Sequence, residues 1–277
     1  MHHGNRTTGT ISTALAAVLA SALPISAMGA AWTLPKGKLL TYFPIQYTVV
    51  DQQFNHSGNR VGRPRFQMFE FSPYFAYGLT DSLTTGFEPN YRSVTVSGPN
   101  GDLHNSGVAS TDVFGRIRLW HQQQAAFSVQ ALATVPVKPD ENSSVPLGRS
   151  RLDVELSLLY GNQHTFSSGT LFYNAGFGFR KRFGHAANEV LVNAFVGWSH
   201  GSWTLVADSS NVVGLNNEVN GVQVLTAEPS FRQHQIQLSG AYHFTPSVSG
   251  IVGAAHTYAG RDIGVANTGF VAVTWRY

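Results

Sequence analysis

The side chains in this chain that could do chemistry recur at every second position. Arg151, Asp153 and Glu155 alternate with Leu152, Val154 and Leu156; Arg116 and Arg118 flank Ile117; Arg180 and Arg182 flank Lys181. Residues two apart on a strand share a face, so Glu70, Glu88, Arg92, Asp112, Arg116, Arg118, Arg151, Asp153, Glu155, Arg180 and Arg182 all fall on one side of a sheet. Charges of both signs on one enclosed surface can do two things. They can pair into a network that fills and stiffens a narrow interior, or they can line a water path and select solutes by charge. The strands carrying Arg116 and Arg118 and those carrying Asp153 and Glu155 are two apart in order, and the sequence predicts that these groups pair across the interior.

Other chemistries find little support. There are no cysteines, which excludes disulfides, thiolate metal sites and thiol nucleophiles. His104, His121, His164, His185, His234 and His243 are scattered without metal-ligand spacing. His200 lies beside Ser199, yet neighbours on a strand face opposite sides and cannot share a hydrolytic site. No G-x-S-x-G or H-E-x-x-H string occurs, and neither FGHAANE nor GFGFR leads a strand into a helix as a phosphate loop would. No cofactor or metal site is therefore expected, and no catalysis. A formal net charge of +3 is too small to imply nucleic acid.

The elements that would position the charges are strands. Leu152, Val154, Leu156, Leu158 and Tyr160 share the face opposite Asp153 and Glu155, and Val113, Ile117 and Leu119 share the face opposite Asp112, Arg116 and Arg118. A helix would mix these sets. The same rhythm over the chain predicts twelve strands, at 38–53, 65–77, 82–97, 106–120, 125–137, 150–163, 169–182, 189–199, 203–213, 230–244, 248–260 and 266–277. Connections alternate in kind. GLTD, HQQQ, HGS and TPS are short turns, whereas FNHSGNRVGRPR, SGPNGDLHNSG, KPDENSSVPLGRS and the stretch from Asn211 to Pro229 read as long polar loops. Residues 1–31 have a polar start with Arg6, an apolar core and small residues Gly29 to Ala31, the pattern of a signal peptide. Residues 32–277 show no linker and read as one domain.

Composition decides which medium surrounds such strands. Charged residues make up 12% of the chain, about half the share usual in soluble domains, and no stretch after residue 31 has the ~20 apolar residues a spanning helix needs. A soluble sandwich or lipocalin-like barrel would turn its apolar face inward. Here the polar faces hold the charges, while Tyr42, Tyr47, Tyr77, Tyr160, Phe183, Trp198, Trp203, Tyr242, Phe244, Trp275 and Tyr277 fall near strand ends, as in the aromatic girdles of a lipid-facing band. The expected fold is an all-β, transmembrane, antiparallel up-and-down β-barrel of about twelve strands in the outer membrane of a Gram-negative bacterium. Its partners would be outer-membrane lipid, the barrel-insertion machinery and a small-molecule solute. The last strand, GFVAVTWRY, alternates cleanly to a terminal aromatic, as strands read by that machinery do.

The phrases PYFAYGLTDSLTTGFEP and STDVFGRIRLW, and the hairpin RLDVELSLLYG followed by NAGFGFRKRFG, resemble the outer-membrane barrels named after the meta-pathway of phenol degradation, which are related in architecture to fatty-acid and aromatic-hydrocarbon channels. That resemblance implies a channel or transporter for uptake of small hydrophobic or aromatic compounds, with no catalytic residues. The long plug-like N-terminal segment of the larger fatty-acid channels is missing, since only Trp32 to Lys38 precede the first strand. The alternative is a closed structural or partner-binding barrel, and behind it an outer-membrane hydrolase.

Overall fold

In the computed structural model, which describes residues 31–98, 101–137, 145–148, 151–184, 187–215 and 231–277, the period-two pattern becomes strand throughout, and no described residue is helical. The predicted leader, apart from Ala31, lies outside the described residues. The segments are β1 (Leu39–Phe54), β2 (Arg60–Phe71), β3 (Tyr74–Thr80), β4 (Leu83–Gly98), β5 (Gly101–His121), β6 (Ala125–Pro136), β7 (Asp153–Phe166), β8 (Gly169–Arg182), β9 (Asn188–His200), β10 (Trp203–Leu215), β11 (Arg232–His243), β12 (Val248–Arg261), β13 (Ile263–Gly264) and β14 (Asn267–Arg276). β2 and β3 are two halves of one strand broken at Ser72–Pro73, and β13 is a two-residue rung on β1, so the wall has twelve strands. Every pairing is antiparallel between sequence neighbours, and β1 closes the ring on β14 from Leu40↔Arg276 to Val49↔Asn267.

Closure leaves two faces. Leu156, Leu205, Leu238, Val252 and Val271 point outward and are 53–61% exposed, a cost in water that lipid removes. Asp153 and Glu155, between those outward leucines, are buried. Aromatic side chains cluster at the rim where β1 begins and β14 ends: Trp203 packs edge-on against Tyr242 at 4.9 Å, Tyr242 against Phe244 at 5.2 Å, and Trp275 lies beside Tyr277. Tyr42 departs from the expected girdle. It faces the interior, 8% exposed, because the inward set of β1 at this level is Leu40, Tyr42 and Pro44.

Two of the four predicted long loops are strand instead. β1 and β2 extend until only residues 55–59 separate them, and β4 and β5 until only 99–100 do. Beyond the lipid a ladder can continue with polar side chains outward, so FNHSGNRVGRPR and SGPNGDLHNSG pair although they lack the apolar alternation that marks a spanning strand. The other two predicted loops lie mostly outside the described residues. The turns at the opposite rim are short, as expected.

A substitution at the lipid face tests this orientation. Leu156→Arg should destabilise the barrel by about 2–4 kcal/mol, the range for a cation at the bilayer midplane, whereas Leu156→Phe should be tolerated. Urea unfolding in lipid vesicles, followed by heat-modifiable gel mobility, measures the difference; equal stability of the two variants would place Leu156 inside.

Candidate functional site: the barrel lumen

Register places the inward charges in rows that run around the wall. One row reads Glu88, Asp112, Thr134, Asp153, Arg182 on β4 to β8, each residue directly opposite the next. The next, two residues deeper, reads Phe114, Leu132, Glu155, Arg180, Glu189 on β5 to β9. A third reads Thr84, Arg116, Gln130, Ser157, Gly178. Directly opposed side chains on one face have Cβ atoms about 4.5–5.5 Å apart, so partners along a row meet without reaching across the lumen.

That geometry decides the pairing. Arg180 donates to Glu155 Oε2 at 2.8 Å and to Glu189 Oε2 at 2.8 Å, while Arg182 donates to Glu189 Oε1 at 2.8 Å and lies 3.9 Å from Asp153 Oδ2. Glu189, fully buried, thus ties the two arginines together. Arg92 pairs with Glu70, its register neighbour, and donates to the Leu147 carbonyl at 3.2 Å. Among the described residues Asp153 and Glu155 meet Arg182 and Arg180 of adjacent β8, where the sequence pointed to Arg116 and Arg118, because β8 supplies nearer arginines. Arg116 binds Gln130 Oε1 at 2.8 and 3.0 Å and the Trp32 carbonyl at 3.2 Å. Arg118 sits half-buried nearer the turn-side rim. Arg151 is not in the rows: it precedes β7 in the outer connection, exposed, with its stem against Gly184.

Two acids escaped the sequence reading. Glu189 opens β9, whose stretch VLVNAFV is apolar on both faces, so alternation could not tell in from out. Asp208 lies on the inward face of β10, on a strand whose alternation is broken by the polar run DSSN. With them, the inward acids among the described residues of the wall include Glu70, Glu88, Asp112, Asp153, Glu155, Glu189 and Asp208, and the inward arginines include Arg92, Arg116, Arg118, Arg180 and Arg182.

Below the charged rows a strap enters the lumen. Ala31 donates to Asn174 Oδ1 at 3.1 Å and accepts from Ser128; Leu34 donates to Thr84 Oγ1 at 2.8 Å; Lys36 donates to Asp81 Oδ1 at 2.9 Å. The Trp32 indole lies over Gly161, where a Cβ would come within 2.4 Å of the ring, so glycine makes its seat. Between the strap and the walls of β8 to β12 lies a cavity of about 1080 Å³, with Phe172, Asn174, Val206 and Ile251 in its lining. A chain of hydroxyls borders it: Ser199 to Thr204 at 2.7 Å, Thr204 to His243 Nε2 at 2.9 Å, and His243 Nδ1 to Ser249 at 2.6 Å. No carboxylate joins that chain. Among the described residues no group of three or more His, Asp or Glu is arranged to hold a metal.

Above the charged rows the interior turns apolar, which the sequence reading missed. Val50, Phe66, Met68, Val94 and Val96 form a buried cluster with Val145 and Ala266, and Phe54, Leu191, Val212, Phe231, Ile263 and Val265 form a second. In β4 the inward set runs Glu88, Asn90, Arg92, Val94, Val96 while Ser93 and Thr95 face out. The sense of the alternation therefore inverts along one strand.

The solved structures that share this architecture are outer-membrane barrels. The COG4313 outer membrane channel from Pseudomonas putida F1 superimposes with a TM-score of 0.72 at 16% identity, covering 90% of this chain and 99% of that one. The NanC porin superimposes with a TM-score of 0.50 at 8% identity, covering 84% and 98%. The fold is that of a Gram-negative outer-membrane β-barrel. No family model matches the sequence, and no curated protein does.

The ion-pair network should be structural. Arg180→Met strips both Glu155 and Glu189 of a guanidinium and should cost about 3–5 kcal/mol where burial is complete, while Arg118→Ser should leave stability unchanged. Urea midpoints of the two refolded variants report this directly, and a stable Arg180→Met protein would show that the lumen at this level is wet.

Proposed function

We propose that this protein is an outer-membrane channel for small hydrophobic or aromatic compounds, made with a signal peptide and seated in the outer membrane of a Gram-negative cell. The observation that carries the reading is the layering of the lumen. Apolar clusters fill the outer half, a paired charge belt crosses the middle, and a cavity of about 1080 Å³, lined by aromatic and aliphatic side chains together with hydroxyls and amides, lies behind the strap. A pore for sugars or ions would keep polar groups along its whole path. An apolar solute gains by leaving water for the outer clusters, and the cavity is large enough to hold it. The channel names of the fold neighbours support a channel, and the resemblance of the strand phrases to phenol-pathway barrels supports an apolar solute. Ala31, buried and bonded to Asn174 and Ser128, favours a leader that ends just before it.

A closed scaffold whose outer loops bind a partner is the rival. Side chains filling the interior from rim to rim would favour that reading, and the open cavity behind the strap argues against it.

The test uses cells with an intact lipopolysaccharide leaflet, expressing this barrel in place of their other channels. Uptake of N-phenylnaphthylamine, a fluorescent apolar amine, should rise several-fold over the empty vector, with little change for a disaccharide. Val94→Glu and Met68→Glu, which set a charge in the apolar cluster, should remove most of that gain while the barrel still reaches the outer membrane. Wild-type uptake at the empty-vector level would overturn the proposal.

A further inference from the structure

Along the rows, each charged residue stands opposite a group of opposite sign or a neutral one, except at one place. Glu88 on β4 and Asp112 on β5 are directly opposed. Like charges so placed destabilise a sheet, and neither carboxylate has an ion pair within reach among the described residues. Glu88 is 4% exposed; its Oε1 and Asp112 Oδ1 are buried without a hydrogen-bond donor. The nearby arginines are engaged elsewhere: Arg92 with Glu70, Arg180 with Glu155 and Glu189, Arg116 with Gln130 and Trp32. A second observation points to the same spot. Tyr42 on β1, 8% exposed, turns its hydroxyl inward without a hydrogen-bond partner, near enough to Glu88 to interact with its charge.

A gap in the neighbouring ladder borders these groups. Phe71 pairs with Tyr91 and Phe75 with Phe87, which leaves Ser72, Pro73 and Tyr74 opposite Glu88, Pro89 and Asn90 without registered rungs. Proline at 73 and at 89 removes a ladder donor on each side, so neither backbone N–H is available to satisfy the carboxylates. Two facing carboxylates have acceptors only, and one bound proton turns one of them into the donor that the other needs.

We propose that Glu88 and Asp112 hold a single proton between them, forming a titratable site in the wall of the lumen. The proton comes from water and returns to it, making and breaking one O–H bond. The charged and titratable groups facing the pair are Tyr42 from β1, Glu70 from β2, Tyr74 from β3, Arg92 from β4, Glu155 from β7 and Arg180 from β8. With the proton bound the pair carries one negative charge, and after its loss two. Resting on the channel reading above, this makes preference for cationic over anionic solutes rise as pH rises through the titration.

Infrared spectroscopy of the purified barrel in lipid tests the site without reference to transport. A protonated-carboxyl C=O band that shifts in D₂O should be present at neutral pH, and both Glu88→Gln and Asp112→Asn should abolish it. The amide in each variant supplies the missing donor, which lets the remaining carboxylate ionise. Both changes are isosteric, and heat-modifiable mobility confirms folding; if one variant fails to fold, the other carries the test. Absence of the band in wild type, or its survival in a folded variant, would overturn the proposal. In planar bilayers the reversal potential under a salt gradient should shift with pH in wild type and stay flat in Glu88→Gln. A barrel that shows the band but neither passes current nor raises N-phenylnaphthylamine uptake keeps the shared proton and removes the channel reading; a conducting barrel with the same pH response in both proteins overturns the shared proton as the source of selectivity.

Discussion

The ladder between β1 and β14 is the constraint on which the rest of the molecule depends. In hydrocarbon a backbone N–H or C=O cannot turn to water, so every strand needs a partner on both sides, and only a closed ring provides one. Leu40 to Val49 against Arg276 to Asn267 complete that ring. Once it closes, each spanning strand has one face in lipid and one in a confined interior. Leucine, valine and isoleucine can then be outside at no cost, and the interior receives whatever the remaining positions carry. A barrel of twelve strands is wider than its own backbone requires, so that interior has to be filled, paired or left as space. This protein does all three at different depths.

The charge belt shows how register replaces reach. Arginine is suited to the task, because its planar fork can bind two carboxylates at once, and Arg180 does so between Glu155 and Glu189. A lysine there would offer a point charge to one partner at a time. Since Glu189 also binds Arg182, three strands are stitched at one level, and the wall is stiff there. Stiffness here has a consequence for the strap. Arg116 can offer its guanidinium to the Trp32 carbonyl because the acids on β7 are served by β8, so the network frees the residue that holds the N-terminal segment in place.

Much of this was legible in the residues. Strict alternation in RLDVELSLLY settles strand, facing and the inward position of Asp153 and Glu155 together, and the structure agrees on each. Partner choice was not legible, because it depends on register between strands and not on spacing within one. The extension of β4 and β5 through SGPNGDLHNSG was hidden for a related reason: outside lipid, a paired strand needs no apolar face, and without that face a polar hairpin reads as loop. Glu189 was missed where both faces are apolar, and Tyr42 was assigned to the girdle because proximity to a strand end says nothing of which way a ring points.

The inversion of the alternation along β4 is the feature that links fold to function. Below Arg92 the strand is a membrane strand, with Phe87 and Tyr91 outward and Glu88 inward; above it, with Ser93 and Thr95 outward and Val94 and Val96 inward, it is a strand of a water-soluble barrel with an apolar core. The change of medium outside the wall permits the change of lining inside it, because the same two-residue period must serve whichever face meets water. A barrel that projects beyond the bilayer therefore acquires an apolar outer core without any added element. The charged rows then lie at the boundary between that apolar core and the cavity behind the strap. On the channel function proposed above, that position, more than the charges themselves, is what would let the belt select what crosses.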